Sequence, residues 1–371
     1  MRALNAIKLT AKRMAIRKLD MKFVKLIVIV LLVLFGGLIL IPETKYVPYM
    51  PDDSYLADSA AYNVPSMPEG WAWDFFQTSD GTKIRWGETR ADDSKASVLL
   101  LPGYTSSMDM YGEHVSMLAK RGYHVVGVDL RGQGGSDRHR SEHPEKLYAE
   151  DFGVYSDDVA GFIKAQDYPQ NFPLIIFGSS FGGHVALRLE GDHETGVDGL
   201  LLLAPAYRPN TAPFSVGFTK TMTGFAKLVG KGKRFAPVQG EWRPDGTDLT
   251  VGSDCASEPK RLYLRDTVFV RKPEQRVGGV TNNYVRGMIS SGELLQTSDY
   301  AAKIDLPIHM VVAENDVIID SPTSEAACTN GLADCKLVKL PKTGHCLMLE
   351  NDNVLNAIFD ELDALYARLS Q

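Results

Sequence analysis

From Val98 onward the chain carries short apolar runs of the kind that strands buried on both faces require: Val98–Leu101, His124–Leu130, Leu174–Phe177, Leu200–Leu203, His309–Val312 and Leu337–Leu340. Between most of them lie stretches of helical length and pattern, for example Tyr111–Arg121 and Tyr155–Gln166. Strand and helix in alternation predict a mostly parallel sheet covered on both sides. Ahead of these runs, "WAWDFFQTSDGTKIRWGE" reads as two strands around an Asp80-Gly81 turn. Residues 206–300 break the rhythm. They hold one amphipathic helix candidate, Pro213–Gly230, with Phe214, Phe218, Met222, Phe225 and Val229 on a 3.6-residue period, followed by a polar stretch rich in glycine and proline. This is the pattern of an insertion between two strands, forming a cap.

The N-terminal pattern is different. "FVKLIVIVLLVLFGGLILIP" contains sixteen uncharged residues from Leu26 to Ile41, and Phe23 and Val24 extend the run if Lys25 snorkels. Residues 1–25 hold eight Lys/Arg and one acid, about +7, against −6 for the whole chain, so the remainder carries about −13. A cleaved signal peptide would end in small residues, and this run ends Leu-Ile-Leu-Ile-Pro-Glu. The expectation is an uncleaved single-pass signal anchor over 23–41, with the basic arm 1–22 cytoplasmic and everything after Pro42 periplasmic or extracellular. Residues 42–70, with five prolines and several acids, read as an extended tether. The folded body is expected as a core of residues 71–205 and 301–371 with the cap at 206–300. Its acidity argues against a nucleic-acid partner. Four cysteines are too few for a disulfide scaffold, but outside the cytoplasm Cys328 and Cys335, seven apart around a turn-like stretch, are the expected bridge. Cys255 and Cys346 are either a second pair or two free thiols.

"FGSSFGG" joins the strand ending at Phe177 to a helix opening at Gly183. It fits Gly178-x-Ser180-x-Gly182, a strand-to-helix elbow that leaves one serine at a strained tip, with glycines two residues either side removing Cβ atoms that would clash. The register selects Ser180 as the nucleophile: Ser179 has Phe177 and Phe181 at the same offsets and is a small filler. The strand in "VLLLPGYTSS" ends at Pro102-Gly103, so the amides of Tyr104 and Phe181 are the expected oxyanion donors. Acids follow a later strand in "VVAENDVIID", where Glu314, Asp316 and Asp320 all compete, and His345 follows the last strand in "KLPKTGHCLMLE". The order Ser, acid, His suits this architecture. His184, in the helix after the elbow, reads as a packing histidine, and the basic run Lys227–Arg234 as a solvated face or a site for anionic headgroups.

"PGYTSSMDMYGEHVSMLAKRGYHVVGVDLRGQGGSD", "GSSFGG", "AENDVIID" and "GHCLMLE" resemble the α/β-hydrolase superfamily, and within it the monoacylglycerol lipase and bacterial lysophospholipase group, over roughly 300 residues from about Trp71. The group usually shows His-Gly where Pro102-Gly103 stands, and a polar residue soon after the histidine where Cys346-Leu347 stands. The resemblance implies an α/β-hydrolase fold and a Ser180-Asp316-His345 triad, its "N-D-x-I" pattern favouring Asp316, with Asp320 the main alternative. It implies a lipid-like ester substrate and no metal or organic cofactor. Thioesterases and peptidases share the motifs, and a non-catalytic tethered binding module is the reading from another class. Phe214, Phe218, Met222 and Phe225 are expected to line an apolar route to Ser180 where they do not simply pack onto the body. The sequence gives no oligomeric state.

Overall fold

The computed structural model describes residues 45–52, 63–90, 93–139, 142–149, 151–166, 172–243 and 255–371, together with the isolated Lys25. The segment 23–41 therefore lies outside the described residues, apart from Lys25. Among those described, no helix is long and apolar enough to cross a membrane.

A hairpin opens the body, β1 (Ala72–Gln77) and β2 (Lys83–Thr89), with Gln77 opposite Lys83 and Gly81 at φ 88° in the turn. Alternation follows: β3 (Ala96–Leu101), α1 (Gly112–Lys120), β4 (Tyr123–Val128), α2 (Gly153–Ala165), β5 (Leu174–Ser179), α3 (Phe181–Asp192) and β6 (Gly199–Leu203). After the insertion come β7 (Ile308–Ala313), a short helix Ser321–Ala326, β8 (Cys335–Leu340) and the C-terminal helix Asp352–Leu369. The eight strands form one sheet in the order β1-β2-β4-β3-β5-β6-β7-β8, antiparallel where β2 meets β1 and β4 and parallel from β4 onward. Every residue of β3, β4, β6 and β7 is buried, as strands covered on both faces must be. The registers Leu101 to Gly178, Ser179 to Leu203 and Leu203 to Val311 bring the carboxyl ends of the central strands to one edge, where open α/β sheets place their sites.

Two expectations change here. The region 206–300 contains more helix than its composition suggests: α4 (Val216–Leu228), α5 (Pro259–Arg271), α6 (Asn282–Leu295) and α7 (Ser298–Ala301). In α6 the glycines mark close packing rather than a break, since a Cβ on Gly292 would lie 1.9 Å from the Tyr207 carbonyl oxygen. The tether is also not free along its described length. Tyr46 donates its hydroxyl to Glu145 at 2.9 Å, Arg276 donates to the Tyr49 carbonyl at 2.7 Å, and the Tyr49 ring meets Trp242 edge-on at 6.1 Å. Val64 and Met67 pack against the core. Aromatic and apolar residues spaced among the prolines give this segment enough area to dock.

The structure joins Cys328 to Cys335, seven residues apart, and Cys255 to Cys346, ninety-one apart. Chain-entropy arguments give roughly 2 kcal/mol for the short loop and roughly 4–5 kcal/mol for the long one. Peptide mapping without reductant should return both linked pairs. Cys255→Ser/Cys346→Ser should lower Tm more than Cys328→Ser/Cys335→Ser, and the opposite order would contradict the assignment of the long bridge as the larger constraint.

Candidate active site

The elbow follows from the strand-to-helix handover. Ser180 sits between β5 and α3 at φ 50°, ψ −110°, a conformation that side chains other than glycine rarely adopt. Its amide donates to the Leu203 carbonyl at 2.7 Å, and its carbonyl accepts from the amides of His184 and Ala206, both at 3.1 Å. A Cβ at Gly178 would lie 2.7 Å from Gly183 Cα, and one at Gly182 only 2.0 Å from the Leu101 carbonyl oxygen. Both elbow positions are thus closed to any side chain.

His345 reaches Ser180 from the loop after β8, with Nε2 2.8 Å from the serine Oγ. Its Nδ1 lies 2.7 Å from Asp316 Oδ2, on the loop after β7. The other carboxylate oxygen of Asp316 accepts the amides of Ile318 at 2.9 Å and Ile319 at 3.0 Å, so the carboxylate is held in one orientation. The Asp316 side chain is fully buried and that of His345 nearly so. The rival acids are engaged elsewhere. Asp320 is bound by the Arg208 guanidinium, with Nε at 2.6 Å, and by the Thr323 hydroxyl at 2.7 Å. Glu314 accepts the Lys342 amide at 2.9 Å.

The donors expected for an oxyanion lie close by. Phe181 begins α3, so its amide has no acceptor within the helix. The loop after β3 passes over Ser180, whose Cβ is 3.4 Å from where a Gly103 Cβ would be. That loop is held by Gln133, a fully buried side chain which donates to the Gly103 carbonyl at 3.2 Å and accepts the Thr105 amide at 2.7 Å. Tyr104, between these two bonds, donates its hydroxyl to the Gly278 carbonyl at 3.1 Å. Gln133 has no distinct signal in the sequence beyond its place in the glycine-rich "RGQGGSD".

A cavity of about 150 Å³ opens over Ser180 and His345. Met110, Tyr111, Leu262, Leu264, Met348 and Leu349 form its apolar wall. The wall helix is therefore α5, not α4. None of Phe214, Phe218, Met222 and Phe225 lines this cavity: Phe214 is exposed and stacked on Phe218 at 5.3 Å, and α4 buries Thr223 and Ala226 while packing on α6. The stripe read from sequence was one side of a helix whose tertiary neighbour selects the adjoining one. His184 is a satisfied core histidine, bonded to the Ala206 carbonyl at 2.9 Å and the Ser291 hydroxyl at 2.8 Å. His114 is buried at the cavity with Nε2 2.7 Å from the Met348 carbonyl, and burial lowers its pKa to about 4.

Known proteins show the same arrangement of fold. A soluble variant of monoglyceride lipase from Saccharomyces cerevisiae superposes with a TM-score of 0.62 at 20% identity, covering 83% of this chain and 99% of that one. In sequence, lysophospholipase L2 of Escherichia coli K12 is 26% identical over 256 residues, 68% of this chain and 73% of the relative. Monoacylglycerol lipase abhd6-A of Xenopus laevis is 23% identical over 270 residues, 69% and 72% of the two chains. The model of the serine aminopeptidase, S33 family matches residues 92–352, which take in the elbow, the acid loop and the histidine loop, and the chain belongs to that family.

Proposed function

We propose that the protein is a membrane-anchored serine hydrolase that cleaves carboxylic esters of single-chain lipids through Ser180, His345 and Asp316. The observation that carries this reading is the unbroken relay of 2.7 Å and 2.8 Å contacts from Asp316 through His345 to Ser180, which opens on a cavity with an apolar wall. His345 donates Nδ1–H to Asp316, which leaves Nε2 free to take the Ser180 proton as Oγ bonds to the ester carbonyl carbon. The tetrahedral oxygen accepts the amides of Tyr104 and Phe181, the latter at a helix N-terminus. Nε2 returns the proton to the leaving alkoxide as the C–O bond breaks, and water then releases the acyl group by the same steps. Asp316 fixes the imidazole tautomer and supports its charged form.

Substrate class rests on the wall. An alkyl chain beside Met110, Leu262, Leu264, Met348 and Leu349 gains roughly 0.8 kcal/mol per buried methylene, whereas a peptide would leave amide groups unpartnered there. Lysophospholipase L2 and monoacylglycerol lipase abhd6-A, by their names, act on single-chain lipids. The family's name instead favours an aminopeptidase with the same triad. The basic arm and apolar run before Pro42 support anchoring, with the catalytic body outside the cytoplasm.

Ser180→Ala should abolish labelling by a fluorophosphonate and lower kcat by roughly 10³-fold or more, while Ser179→Ala keeps substantial activity. Asp316→Asn should be far more damaging than Asp320→Asn, and the reverse would move the acid. Hydrolysis rates across lysophospholipids, monoacylglycerols, acetate esters and aminoacyl amides test the substrate class. Leu262→Asp should damage long-chain esters much more than acetate esters, and Phe218→Asp should change that ratio little. A wild-type preference for aminoacyl amides over every ester would overturn the lipid reading.

A further inference from the structure

The histidine loop is held from outside the triad by one buried carboxylate. Glu350 is fully buried at the end of the loop, between the short turn Leu347–Leu349 and the C-terminal helix. Its Oε1 accepts the amide of Gly344, the residue before His345, at 3.1 Å. Its Oε2 accepts the amide of Ser257 at 3.1 Å and also the Ser257 hydroxyl. Ser257 belongs to the cap segment leading into α5, the helix that walls the cavity.

Other ties run in parallel. Cys346, the residue after His345, donates its amide to the Cys255 carbonyl at 2.6 Å and shares the disulfide with the same residue. Arg261 of α5 donates to the Glu350 carbonyl, and its guanidinium also holds Glu113 of α1 and Asp352. The backbone on both sides of His345 is therefore fastened to residues 255–261.

A fully buried carboxylate is costly unless its oxygens are met by donors. Here three donors converge on two oxygens, and they come from the two segments whose relative position sets the reach of His345. A carboxylate accepts at both ends, so it can serve Gly344 and Ser257 together. A carboxamide of the same shape presents a donor at one end and must turn it toward an N–H on one side or the other.

We propose that Glu350 is a positioning residue of the reaction: it sets the backbone before His345 and, through Ser257, makes the approach of Nε2 to Ser180 depend on the seated cap. The inference rests on the hydrolase reading above. It concerns the rate at which a formed site reacts, not the number of sites formed. A small misplacement of the base costs catalysis steeply.

The test is fluorophosphonate labelling at saturating probe, followed to its end point, together with kcat and KM on p-nitrophenyl butyrate. Glu350→Gln should slow labelling and lower kcat by roughly ten- to hundred-fold, while KM stays within about twofold and the final labelled fraction equals that of the wild type. Ser257→Ala removes the hydroxyl but keeps the amide, so it should shift both rates the same way by a smaller factor. Wild-type labelling rates in either folded variant overturn the proposal. A reduced end point with an unchanged rate also overturns it, because that is loss of folded protein rather than misplacement. If Glu350→Gln fails to fold, Ser257→Ala decides alone: slower labelling supports the proposal and a wild-type rate overturns it. Probe uptake by Ser180→Ala at the wild-type rate would sink the hydrolase reading itself, an outcome distinct from every one above.

Discussion

The site depends on one backbone constraint, the reversal at Ser180. A residue with a side chain at φ 50° costs on the order of 1–3 kcal/mol and persists only where its surroundings over-determine it. Those surroundings are specific. The Ser180 amide and carbonyl are both bonded to the ends of neighbouring elements, and α3 presses so closely on β3 that Gly182 faces the Leu101 carbonyl with no room for a methyl group. The spacing of β3 and β5 thus fixes the tip, the tip fixes where Oγ points, and the loops after β7 and β8 bring an acid and an imidazole to meet it. The strain is held by the most buried part of the molecule, so it is stored where the fold is least able to relax.

Core and cap are joined by different forces. The core is apolar and nearly continuous from Ile84 to Leu365. The cap's ties to the histidine loop are covalent and polar: the Cys255–Cys346 bridge, the Glu350 carboxylate and the Arg261 guanidinium with its acidic partners. Polar ties of this kind are directional, and one placed beside the histidine loop transmits position better than an apolar contact of equal strength. The segment Tyr46–Tyr49 extends the same logic toward the N-terminus, since Tyr49 packs on Trp242, and Trp242 donates its indole N–H to Asp266 in the cavity wall at 3.2 Å.

The sheet and the elbow were legible in the sequence because each rests on a local rule. Runs such as Leu200–Leu203 have nowhere to go but a central strand, and only Ser180 has glycine on both sides at the elbow spacing. The β1–β2 hairpin was equally plain from Asp80-Gly81. What was not legible depends on who the neighbour is. The apolar stripe of α4 is real as a pattern, yet its buried side is chosen by α6, a helix that the glycines at 287 and 292 disguised. The "PKRLYLRDTVFVR" of α5 looked polar because of residues such as Arg261, which reaches the acids Glu113 and Asp352, while Leu264, Val268 and Phe269 carry the packing. Gln133 and Glu350 were invisible for a related reason: a polar side chain announces nothing in sequence until the backbone groups it must satisfy are known.

The choice between Asp316 and Asp320 shows how that works for charge. Both carboxylates lie on one short loop, and in the sequence only the "N-D-x-I" pattern of the resemblance separates them. For Asp320 burial works against ionisation, but the hydrogen bonds from Thr323 and Arg208 and the positive charge of Arg208 outweigh it and hold the carboxyl below its ordinary pKa. Its charge is already matched by a guanidinium, so it has little to offer an imidazolium. Asp316 instead takes two backbone amides on one oxygen, which orient it without neutralising it, and turns the other to His345. In the proposed reaction that difference decides the role, because the carboxylate that supports a transient positive charge is the one whose own charge has not been matched by a permanent one.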